Sequence, residues 1–103
     1  MANVFKNYIA SSVGDGGATL TCPANSTITI IGMTLANIIT SNIKVTSYCA
    51  VTYLTFETIV TPGSSLIVVG GDQKVVLEAG DQLLNYSDTA SSMDIVISYM
   101  LTT

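Results

Sequence analysis

From Pro62 to Leu101 the chain reads PGSSLIVVGGDQKVVLEAGDQLLNYSDTASSMDIVISYML, and this stretch limits the possible folds more than any other. Its short runs rich in Val, Ile and Leu are each closed by a turn signal: Pro62-Gly63, Gly70-Gly71-Asp72, Gly80-Asp81 and Ser87-Asp88-Thr89. The runs at 65–69 and 75–79 are too short for helices and are bracketed by glycine. Strands at roughly ten-residue spacing, punctuated by Gly, Pro and Asp, mark an antiparallel sandwich or barrel. The last run also fixes a face. Met93, Ile95, Ile97, Tyr99 and Leu101 fall on one side of a period-2 strand, with Asp94 and Ser98 on the other. The run holds no lysine, proline or glycine to guard an edge, so a central strand is expected there.

Upstream the same grammar holds. Residues 3–10, NVFKNYIA, alternate and predict an edge strand or a docking arm, with Val4, Lys6 and Tyr8 opposite Phe5, Asn7 and Ile9. Ser11 to Gly17 reads as a glycine-rich loop. A short strand follows over 18–22 and ends at Pro23, which cannot donate to a ladder. Residues 26–37 form the next, with Ile28 and Ile30 inward and Gly32 where a bulge would reset the register. A turn at Thr40-Ser41-Asn42 leads to the longest strand signal, 43–56, whose one face carries Ile43, Val45, Cys49, Val51 and Tyr53. A shorter strand over 57–60 completes eight or nine. The expected fold is therefore all-β: one antiparallel β-sandwich domain over 1–103, of about eight strands, immunoglobulin-like or jelly-roll in topology.

Charge narrows the function classes. Only 10% of residues are charged, against about 25% in an ordinary soluble domain. The net charge is −4, from seven acids and three lysines (Lys6, Lys44, Lys74). Nucleic-acid binding needs clustered Lys and Arg, and an anionic membrane surface needs the same, so neither partner is expected. No apolar run approaches the eighteen or so residues of a spanning helix. The first residues lack the basic and long apolar regions of a signal peptide, which predicts manufacture and assembly in a cytosol. A surface short of charge loses the repulsion that keeps proteins apart, and we read it as a surface covered by neighbours in an assembly. The plain alternative is a Thr-rich β-protein, since threonine suits strands.

The residues give no sign of catalysis. There is no histidine, no Ser or Cys with an activating partner, and Gly70-Gly71-Asp72-Gln73-Lys74 lacks phosphate-loop spacing. A carboxylate pair, Asp72 with Glu78 or Asp81, is the one remaining option, and each acid sits at a turn or on an outer strand face. Asp15 among glycines falls short of a calcium site. Cys22 and Cys49, without histidine, cannot build a zinc site, and both read as small core hydrophobes rather than a disulfide. The expectation is no enzyme, no cofactor and no metal. Asn25-Ser26-Thr27 and Asn85-Tyr86-Ser87 match the glycosylation pattern but read as polar turns.

The segments FKNYIAS, CPANSTITIIGMTLANI and PGSSLIVVGGDQKVVLEAGDQL together resemble small virion structural proteins of tailed phages, those of cyanobacteria and other aquatic bacteria above all. The resemblance covers residues 4 to 101 and lies in strand-and-turn patterns, so it assigns no site residue. It implies a non-enzymatic component of the particle: a capsid decoration or cement protein that contacts the major capsid protein, or a tail, neck, baseplate or head-fibre part. It also implies a homo-oligomer, a trimer by preference, located in the virion after assembly in the host cytoplasm. The run Tyr48, Tyr53 and Phe56 is more aromatic than a solvated face needs. We read it as core, with contact to a virion neighbour as the alternative.

Overall fold

The computed structural model describes residues 2–70 and 73–103. Among these residues nine strands run in the order β1 (Asn3–Val13), β2 (Ala18–Thr21), β3 (Thr27–Asn37), β4 (Ile43–Cys49), β5 (Thr52–Val60), β6 (Ser65–Val69), β7 (Val75–Leu77), β8 (Gln82–Ser87) and β9 (Met93–Thr102). Their pairing is that of one long hairpin rolled on itself. β1 pairs with β9, β2 with β8, β3 with both β6 and β7, and β4 with β5. β9 and β8 then pair sideways with β3 and β4. The result is two antiparallel sheets, β1-β9-β3-β6 with β7 also on β3, and β2-β8-β4-β5. Of the two topologies left open by the sequence this is the jelly roll. β6 and β7 occupy successive stretches of one side of β3, so the ninth strand arises from an eighth broken between residues 69 and 75.

β9 is the central strand its alternation predicts, held between β1 and β3. Met93, Ile95 and Ile97 are fully buried, while Tyr99 and Leu101 pack half-buried at the rim of the core. β3 buries Ile28 and Ile30 in its first half and Met33 and Leu35 in its second. Those positions are even, then odd. A one-residue slip between Ile30 and Gly32 makes the change of phase, which is the bulge expected there. Leu20, Ile43, Val45, Val60 and Leu83 close the core from the second sheet.

Three departures from the sequence reading have physical causes. The stretch 43–56 is not one strand but a hairpin, turning at Ala50-Val51, and the chain then runs unbroken from Thr52 to Val60. Neither residue is a usual turn former, and Ala50 takes a left-handed conformation (φ 54°) at a local cost of roughly 1–2 kcal/mol. Its amide donates to Gln82 O at 3.0 Å. Val51 and Tyr53 therefore face solvent instead of joining Ile43 and Val45 inside. Next, β1 does not stop at residue 10. It continues through a bulge at Ser11-Ser12 to a buried Val13, with Ser12 at φ 54° and its amide donating to Asp94 Oδ1 at 2.9 Å. Finally, Cys49 is only half-buried against the core, whereas Cys22 is fully enclosed.

Truncating Ile97 to Ala should cost roughly 2–5 kcal/mol, from lost transfer energy and the cavity left behind. Ser98→Ala, on the opposite and half-exposed face, should cost less than about 1 kcal/mol, since it loses one exposed hydrogen bond. Denaturant unfolding of both variants checks the pair. Equal losses would show that the outer face is as enclosed as the inner one.

Candidate interaction surface

The side chains that alternate with the core positions of the first sheet point outward, and many are apolar. Cross-strand register sets them in rows. Ile9 lies beside Val96, Val96 beside Thr34, and Thr34 beside Ile67. Farther along, Phe5, Met100, Thr29 and Val76 form a second row. Phe5 is 73% exposed, Ile9 and Ile67 are each 68% exposed, and Val76 and Val96 are exposed as well. Between the rows runs a polar strip, Asn7, Ser98 and Gly32, in which the Ser98 hydroxyl donates to Asn7 Oδ1 at 3.1 Å.

The second sheet presents an aromatic counterpart. Thr19, Leu84, Tyr48 and Tyr53 share one outer row. Tyr48 and Tyr53 meet edge-to-face at 4.9 Å, and Tyr53 meets Phe56 the same way at 4.7 Å. Tyr53 and Phe56 are exposed, and Ile59 and Val51 stand exposed on the same hairpin. The structure thus places Tyr53 and Phe56 outside the core, which corrects the core reading.

Three carboxylates, those of Asp81, Asp88 and Asp94, are occupied with the backbone. Asp81 Oδ2 accepts from the Glu78 amide at 3.0 Å and closes the turn at Ala79-Gly80. Asp94 holds Ser12, as described above. Asp88 Oδ1 accepts from the Lys44 amide at 3.0 Å and from the Thr89 hydroxyl at 3.1 Å. Of the carboxylate pair weighed from sequence, Asp72 lies outside the described residues, and Glu78 and Asp81 share a structural turn. Among the described residues no group of three or more His, Cys, Asp or Glu could hold a metal. Shallow hollows among the described residues include one of about 390 Å³ between the Asn25–Thr27 turn, Glu78 and Thr102-Thr103, and one of about 210 Å³ beside Phe5, Asn7 and Tyr99. Neither encloses a buried acid, base or nucleophile.

Burial pushes both thiols up from their ordinary range, and the Asp81 charge adds to the effect. Cys22 Sγ also lies 3.4 Å from Ser26 O. Comparison of the chain with models of protein families, with curated proteins and with solved structures returns no match.

At neutral pH a thiol reagent should label Cys49 slowly and Cys22 only on unfolding, because reaction needs both access and the thiolate. Counting labelled thiols against time checks this, and fast labelling of Cys22 would contradict the enclosed position. A second expectation concerns acid. The Lys44 amide bond, then the Thr89 hydroxyl, hold the Asp88 carboxyl below its usual range against a small burial penalty. A depressed folded-state value adds stability that is complete above the unfolded-state pKa, about 3.9, and is lost as pH falls through the folded value. Asp88→Asn should therefore be less stable than the parent at pH 7 and equal to it near pH 2. Denaturation midpoints across that range measure the difference, and a gap that persists at pH 2 would assign the effect to something other than ionisation.

Proposed function

We propose that this chain is a non-enzymatic structural protein of a phage particle, a decoration or cement protein that seats on the shell and contacts the major capsid protein. One observation carries the reading: both sheets turn exposed apolar rows outward, on a molecule with only 10% charged residues. Large exposed apolar patches mark interaction sites, and here they lie on flat sheet faces rather than in a cleft suited to a small ligand. The sequence resemblance to tailed-phage virion proteins supplies the kind of neighbour. The jelly roll occurs in capsid and lectin domains alike, so it agrees with this role without selecting it. In this role the protein works by burying its outer faces against other virion proteins in the assembled particle, as a homo-oligomer.

Quantitative mass spectrometry of purified particles of a phage encoding this chain tests the proposal. A ratio near one copy per major capsid subunit is expected. A few tens of copies would move the protein to the tail, neck, baseplate or head fibre, and its absence from particles would end the virion reading. Ile67→Asp with Val76→Asp, both on exposed positions, should leave the fold intact and lower occupancy on shells at least about tenfold, the effect of roughly 1.4 kcal/mol.

A further inference from the structure

We infer that β1 joins a second copy of this chain edge to edge, antiparallel across a two-fold axis at Asn7, so that the first sheets of two molecules become one continuous sheet. Among the described residues β1 ends its sheet and pairs only with β9, over an uninterrupted register from Asn3↔Thr102 to Ala10↔Ile95. Ala2 and Thr103 exchange both main-chain hydrogen bonds, at 3.2 and 2.9 Å. Antiparallel ladders alternate, so Val4, Lys6 and Tyr8 also turn their amides to β9. Asn3, Phe5, Asn7 and Ile9 then turn theirs to the free edge. The other edges are poorer templates: β2 has four residues, β6 and β7 are interrupted, and β5 is bulged, with Glu57 at φ 46°. Natural edges are guarded by proline, bulges or repeated charge, and residues 3–10 carry Lys6 alone.

The side chains choose the register. An axis at Lys6 would set two ammonium groups face to face, and an axis at Phe5 would pair only residues 3–7. An axis at Asn7 pairs residues 4–10, all ahead of the bulge, sets Phe5 against the partner's Ile9, and sets Lys6 against the partner's Tyr8. Aromatic and β-branched residues are favourable cross-strand neighbours, and a cation over a phenol ring is attracted to it. The row Ile67-Thr34-Val96-Ile9 then runs into the partner's row through Phe5, Met100, Thr29 and Val76. The polar strip also continues. Asn7 Oδ1, already taking the Ser98 hydroxyl, has a second lone pair for the amide of the partner's Asn7. The facing pairs at residues 5, 7 and 9 alone add about six main-chain hydrogen bonds. A self-paired antiparallel strand has two-fold symmetry, so the trimer expected from the resemblance would need a different surface. The inference stands apart from the virion role, because purified protein alone tests it.

Sedimentation equilibrium from about 1 to 100 µM should show a dimer that Asn7→Pro weakens at least about 100-fold. The Asn7 amide points away from β9, so proline there removes no bond of the molecule's own ladder, and far-ultraviolet dichroism should not change. Mild oxidation should link Asn7→Cys into a disulfide dimer, since facing Cα atoms in such a pair stand about 5.5 Å apart. Phe5→Cys should stay unlinked, its two copies being about 14 Å apart at about 3.4 Å per residue, and the parent protein controls for the native thiols. A parent that is monomeric throughout, or Phe5→Cys linking as readily as Asn7→Cys, would overturn the inference. Should Asn7→Pro not fold, the two cysteine variants decide alone.

Discussion

The sandwich closes because β3 changes phase at its middle. An eleven-residue strand must keep one face on the core along its whole length, between β9 on one side and the broken pair β6 and β7 on the other. Strict alternation from Ile28 would carry Thr34 inward and send Met33 and Leu35 out. Leaving two such side chains in water forfeits about 3–6 kcal/mol, a large part of the 5–15 kcal/mol that holds a typical domain together. The slip between Ile30 and Gly32 avoids this by letting one extra residue of β3 pass a regular β9. It does not depend on a missing side chain for room. A Cβ on Gly32 would meet nothing closer than Val69 O at 3.8 Å.

Much of this was legible because period-2 burial leaves a direct trace in sequence. Met93, Ile95 and Ile97 announced a strand buried on one face, and Gly32 announced the break in β3. The turn signals at Pro62-Gly63 and Gly80 also stand where they were read, each glycine in a left-handed conformation (φ 75° and 88°). The hairpin at Ala50-Val51 was hidden because its conformation is imposed by the strands around it, with residues that give no local signal. The extension of β1 to Val13 was hidden for the opposite reason: Gly14, Gly16 and Gly17 gave a loop signal that spread too far upstream. The interaction surface was half visible. Phe5 and Ile9, four apart with Asn7 between them, lay on a face opposite Tyr8, but sequence alone could not say which face was covered. Tyr53 and Phe56 were misplaced with the hairpin that carries them.

The polar residues are also distributed differently from what composition suggests. Serine and threonine do not simply replace charge on the surface. Ser47, Asn85 and Ser87 of the second sheet and Ser92 just before β9 are fully buried; the Ser47 hydroxyl donates to Asn85 Oδ1 and the hydroxyls of Ser87 and Ser92 meet at 2.6 Å. Asn37 fastens the crossing between the sheets: its Nδ2 donates to Ser41 O and Val60 O, and its Oδ1 accepts from the Ile39 amide. Such bonds are directional where apolar packing is not, and they fix how the β3–β4 crossing seats on β5. Asn85 Nδ2 is the exception, a buried donor with no hydrogen-bond partner among the described residues. That amide therefore carries a desolvation cost that the rest of this network escapes.

The pairing of β1 with β9 joins the first strand of the chain to the last. At a ribosome adding about 5–20 residues per second, Phe5 emerges several seconds before Met100 exists to lie beside it. β2 waits almost as long for β8, and β3 has β6 and β7 before it has β9. Contacts this distant in sequence close late and slowly. The central strand thus completes the first sheet only after the eight strands before it have been made, and the apolar, nearly uncharged first strand stays unpaired until then. A truncated chain ending before Met93 would have no way to shelter it.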